Sequence, residues 1–103
     1  MFRDAFSFNG DISDWDTSKV LDMRSMFRDA ISFNGDISDW ETGAVRFMNN
    51  MFRGASSFTG DLSRWDVSEV ANNEAMFDGA PIVESNQPCT PGGSTSNPVW
   101  RPC

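Results

Sequence analysis

Met26-Phe27-Arg28-Asp29-Ala30-Ile31-Ser32-Phe33-Asn34-Gly35-Asp36-Ile37-Ser38-Asp39-Trp40 decides the reading of this chain, because the stretch recurs. Its opening pair stands at Met1-Phe2, Met26-Phe27, Met51-Phe52 and Met76-Phe77, a period of 25 residues without insertion or deletion. Ala5, Ala30, Ala55 and Ala80 keep the same register, as do Gly10, Gly35 and Gly60, then Asp11, Asp36 and Asp61. Ser13, Ser38 and Ser63 follow, then Val20, Val45 and Val70. Self-similarity at a fixed period is the signature of a repeat architecture, in which one unit cannot bury its apolar face alone and neighbours must stack.

Within one unit, Val20, Met23, Met26, Phe27 and Ala30 are spaced by three, three, one and three residues. At about 100° per residue they cover an arc of about 120°, the apolar stripe of an amphipathic helix. The spacing therefore predicts a helix over 18–30, with Asp16, Thr17 and Ser18 as candidate N-caps. Val45, Met48, Met51, Phe52 and Ala55 repeat the stripe, and Val70, Met76, Phe77 and Ala80 repeat it again with Asn73 in place of Met. Phe33-Asn34-Gly35 and its equivalents read as the turn that ends the helix. Asp36-Ile37-Ser38 then reads as a very short strand with one buried side chain. The expected fold is an α/β repeat solenoid, leucine-rich-repeat-like, with one helix and one short strand per unit. Residues 1–80 form the array and 81–103 a Pro/Gly/Ser-rich tail. The core ladders are expected to run through Phe27 and Phe52, Phe33 and Phe58, Trp40 and Trp65, and Ile37. Helices packed about 8–10 Å apart on strands about 4.8 Å apart would curve the array or splay its helices.

The pattern Met-Phe-x-x-Ala-x-x-Phe-Asn-Gly-Asp-Ile-Ser-x-Trp-Asp-Thr-Ser-x-Val resembles the 25-residue repeat of BspA-like leucine-rich-repeat surface proteins, which is also widespread in mycoplasma-type surface lipoproteins. The match covers about residues 1–80. It departs at Gly43-Ala44, at Val67 where Thr is usual, and at Asn73. The resemblance implies a cell-surface location with adhesion or scaffolding roles, and it carries no catalytic residues.

Composition narrows the function classes. A net charge of −7 argues against nucleic acid and anionic membrane surfaces, both of which attract Lys/Arg patches. No apolar run is long enough to span a bilayer. The chain has no His, no nucleophile motif and no phosphate loop, so no enzyme activity and no cofactor are expected. The columns Asp11/Asp36/Asp61 and Asp16/Glu41/Asp66 have two readings: bonds to nearby backbone N–H groups, which are favoured, or Ca²⁺ bridging between units.

The tail holds all five prolines and both cysteines. Cys89 and Cys103 read best as an intrachain disulfide, which implies an oxidising, extracellular setting. Pairing between subunits is the alternative. No polar cap precedes the first unit, and Pro81 ends the last. Open, related ends suggest head-to-tail homopolymerisation, with Phe2, Phe6, Phe8, Met76, Phe77, Val99 and Trp100 as interface residues. The tail would then dock on the neighbouring subunit. The expected function is a structural subunit of an extracellular or cell-surface fibre. The alternatives are a surface adhesin that binds host proteins or glycans, and a fragment of a longer array.

Overall fold

The structure, a computed structural model, describes residues 10–103. The expected helices are not there. Among the described residues the regular elements are one turn of 3₁₀ helix, Glu84–Asn86, and a two-stranded parallel sheet of β1, Cys89–Thr90, and β2, Arg101–Pro102. The helix-plus-strand, leucine-rich-repeat-like solenoid is therefore corrected to a small globule built almost wholly from turns.

The hydrogen bonds show why the apolar spacing misleads. An α-helix needs N–H groups bonded to the carbonyl four residues back. Here the bonds within a unit span three residues: Val20 to Thr17, Met26 to Met23, Ala30 to Phe27 and Phe33 to Ala30. A series of such β-turns returns the chain to the interior every three residues or so, the same spacing as a helix stripe. Positive φ excludes the helix outright. Ser25, Asn50 and Ala75 lie at φ 55, 58 and 56°, each third in its turn, as a type II turn requires. Asp29, Gly54 and Gly79 repeat this four residues later, at 58, 74 and 78°.

The remaining N–H groups of this segment bond outside their own unit. Met23, Ser25, Phe27 and Asp29 donate to the carbonyls of Phe47, Asn49, Met51 and Arg53, at 2.7–3.1 Å. Met48, Asn50, Phe52 and Gly54 donate in turn to Asn72, Glu74, Met76 and Asp78, at 2.7–2.9 Å. Successive 25-residue segments thus lie side by side in parallel, joined at alternate residues as strands are, with bridges Asp22↔Phe47 and Phe47↔Asn72.

Side chains stack in the same register. The Phe27, Phe52 and Phe77 rings are 5.4 and 5.8 Å apart. Phe33 and Phe58 are 5.9 Å apart, and Trp15, Trp40 and Trp65 follow at 6.5 and 6.4 Å. These spacings suit turn segments laid side by side rather than packed helices, which removes the mismatch expected to curve or splay the array. Within each unit, the first and second Phe stack at 4.3–4.4 Å. Phe27, Phe33, Ile37, Trp40, Phe52, Phe58 and Trp65 are all buried, with Met23, Met48, Met51 and Leu62 beside them.

Several buried polar groups are bonded across units, while Arg28 Nε, Asn49 Oδ1 and Trp100 Nε1 are buried without a hydrogen-bond partner among the described residues. The indole N–H groups of Trp40 and Trp65 donate to the carbonyls of Ile12 and Ile37. The expected cap Thr17 instead donates its hydroxyl to the Glu41 carbonyl, and Thr42 donates to that of Asp66, each at 3.0 Å. In the last unit the column holds Val67, buried, which needs no acceptor beyond it.

Candidate binding surface at the C-terminal end

The tail packs on its own chain. Cys89 and Cys103 form a disulfide, and it closes a segment whose sheet pairs Cys89 with Arg101 and Thr90 with Pro102. Ser94 and Trp100 exchange backbone hydrogen bonds at 2.8 and 3.0 Å. The Arg101 guanidinium donates to the carbonyls of Gln87 and Ser85. Trp100 is buried in the core of this chain, as is Met76, and Phe77 is partly buried against it. These three pack within their own chain, where the expected reading has them at a contact with a neighbouring subunit. Val99, 55% exposed, remains at the surface. Phe2, Phe6 and Phe8 lie outside the described residues.

Asn73 explains how the tail is held. It occupies the column of Met23 and Met48 but sits where the stack ends. Its side-chain amide donates to the Val99 carbonyl at 2.7 Å and accepts from the Val99 N–H at 2.8 Å, as a backbone peptide would. The Asn73 N–H donates to the Asn97 side chain, whose own amide donates to Asn72. Asn86 accepts from the Leu62 N–H at 2.7 Å and donates to the Thr59 carbonyl. The sequence reading saw Asn73 only as a departure from the repeat. The signal it missed was an Asn-rich match: Asn72-Asn73 against Asn97, one period on.

Coverage stops at Val99. By the alternation of the preceding units, the next N–H groups to donate outward are those of Ala75, Phe77 and Gly79. Each equivalent in the unit before, Asn50, Phe52 and Gly54, is bonded. No acceptor meets these three among the described residues. A cleft of about 400 Å³ lies along this edge, lined by residues 73–78 and walled by Gln87, Asn97 and Val99 of the tail. Glu74 and Asp78 are its only charged residues, both exposed and neither in an ion pair among the described residues.

The aspartates of the carboxylate columns are tied up locally. Asp11, Asp36 and Asp61 each accept from the hydroxyl and the N–H of the Ser two residues on. Asp16 does the same with Ser18, and Asp66 accepts from the Ser68 N–H. Bonds from the serine hydroxyl and its N–H hold the carboxyls of Asp11, Asp16, Asp36 and Asp61 below the usual range, and Ser68 lowers that of Asp66 in the same direction. At Asp22 burial pushes upward, but the Arg24 side chain and N–H outweigh it. Among the described residues, no group of three or more His, Cys, Asp or Glu is placed to hold a metal ion. Nor is any described helix long and apolar enough to cross a membrane.

The family model described as "Mycoplasma protein of unknown function, DUF285" matches residues 1–89. The chain belongs to the DUF285 family. No curated protein and no solved structure matches it. The DUF285 match covers all the repeated units and stops at Cys89, the first cysteine of the disulfide.

Proposed function

We propose that this DUF285 chain is a non-enzymatic module of an extracellular surface protein, and that it binds a protein partner at its C-terminal end. One observation carries the reading: the ladder that joins the units is left open at Ala75, Phe77 and Gly79, beside a cleft, while the rest of that end is closed by the tail. The disulfide fits an extracellular location, and the BspA-like character of the repeat agrees with a surface role. The test is retention of the purified, non-reduced chain on surface-exposed protein from its source cells, with and without Glu74→Lys/Asp78→Lys. Equal retention of both forms would count against the C-terminal end.

A second reading is head-to-tail association of copies into a fibre. Along the ladder face, Arg24 gives way to Asn49 and Glu74, and Arg28 and Arg53 give way to Asp78. Basic thus passes to acidic along the stack, which favours end-to-end contact. Sedimentation and electron microscopy over a range of concentrations separate the readings. Filaments support the second, and a monomer at all concentrations removes it.

A further inference from the structure

We infer that the open edge at Ala75, Phe77 and Gly79 is an addition site for a basic peptide segment of the partner that takes the turn conformation of the internal units. The inference rests on the binding reading above and names the partner's chemistry.

The geometry comes from the chain's own pairing. Four N–H groups at alternate residues bond to four carbonyls one unit on, and this happens twice, at 2.7–3.1 Å throughout. The third set begins the same way, but only its first member, the Asn73 N–H, is met, by the Asn97 side chain. Past Val99 the chain turns back to pair with Ser94. The three N–H groups left over among the described residues keep the alternation that each internal segment, itself a run of turns, satisfies with its carbonyls. As when peptides add to open sheet edges, main-chain bonds would supply affinity and side chains selectivity.

Charge sets the selectivity. Glu74 and Asp78 stand four residues apart along the edge, in a cleft without a cation. A peptide in the register of the internal units would place residues with the same four-residue spacing over them. Lys or Arg there would be complementary, and Asp or Glu would repel. The segment 20–30 of this chain, Val20 to Ala30, has the required form, because its homologue 45–55 pairs with the ladder and it carries Arg24 and Arg28 four residues apart.

The probe is a synthetic peptide of residues 20–30, titrated into the intact, non-reduced ¹⁵N-labelled chain. A charge-reversed peptide, Arg24→Glu/Arg28→Glu, is the control. The expected result is perturbation and slowed hydrogen exchange at Ala75, Phe77 and Gly79, with binding weakened roughly tenfold by Glu74→Gln/Asp78→Asn and by added salt. The charge-reversed peptide should leave these amides unmoved. Three outcomes overturn the inference: slow exchange at these amides in the free chain, equal binding of both peptides, or perturbation confined to other residues. If the chain still captures surface protein through its C-terminal end, peptide addition at this edge fails and the binding reading stands. If it captures none, that reading fails too.

Discussion

Thr42 and Val67 occupy equivalent places in successive units, and the difference between them follows what lies beyond. The Thr42 hydroxyl meets the Asp66 carbonyl, whereas Val67 is the last residue of its column and is 3% exposed. A buried hydroxyl without an acceptor costs about 1–3 kcal/mol. Val67→Thr should therefore destabilise by about that amount, and Thr42→Val by about 1 kcal/mol for the lost bond, both read from urea unfolding. A Val67→Thr variant as stable as the wild type would show that an acceptor is within reach. The carboxylates allow a second test at this scale. Asp11, Asp16, Asp36, Asp61 and Asp66 have folded pKa values below the ordinary 3.8, because Ser13, Ser18, Ser38, Ser63 and Ser68 donate to them. Depressed values mean stability that is present in full above the unfolded pKa and is lost as pH falls through the folded one. Stability should be level from neutrality to about pH 5 and fall progressively below about pH 4. Replacing Ser13, Ser38 and Ser63 together by Ala should make that fall shallower, and an unchanged acid profile would remove the serine bonds as its source.

The turn from Phe52 to Ala55 is the element where backbone and neighbour impose the strictest demand. Gly54 has φ 74°, and a Cβ there would run into Asp29 Oδ1 of the preceding unit. A left-handed residue with a side chain costs about 1–2 kcal/mol before any clash. Gly54→Ala should destabilise by at least that much, and adding Asp29→Gly should recover the part due to the clash, as a double-mutant cycle in thermal melts would show. Additive effects would mean the two residues do not meet. The same turns show what was legible in the sequence. The 25-residue register, the buried Phe and Trp columns and the Asp–Ser turns follow from side-chain type, and the repeat displays these directly. The helices did not materialise because a three-residue spacing of apolar side chains is common to a helix and to a run of β-turns. What separates them is the sign of φ at Ser25, Asn50 and Ala75, three residues that do not announce it as glycine would. Gly54 and Gly79 do announce it, and a reading that weighed them against the stripe would have doubted the helix.

At the scale of the whole molecule, the question is how a stack of like units ends. Repeats expose a row of donors at a terminal face, and the common solution is a polar capping unit. Here one side chain and a cross-linked tail serve instead, since Asn73 reproduces a peptide group toward Val99 and the disulfide closes residues 89–103 on themselves. The disulfide was legible from the two cysteines of the tail, but the part Asn73 plays was not, because its partner Val99 is far away in sequence. Asn73→Met tests the arrangement against the repeat pattern. It restores the residue found at Met23 and Met48, and pattern alone would rank it as stabilising. The structure says the reverse: the N–H and carbonyl of Val99 lose both partners, a cost of about 1–3 kcal/mol that a buried Met offsets only in part. The effect should be local. Hydrogen exchange should quicken at Val99 and Trp100, and Trp100 should become accessible to a fluorescence quencher, while the amides of Phe27 and Phe52 keep their protection. Reducing the disulfide should act on the same segment, since a loop of this size contributes about 3 kcal/mol by its closure entropy. Reduction combined with Asn73→Met should release the tail altogether and lengthen the open edge to include Asn73. If Asn73→Met instead loosened the Phe27 and Phe52 amides, the tail would be part of the main cooperative unit rather than a cap upon it.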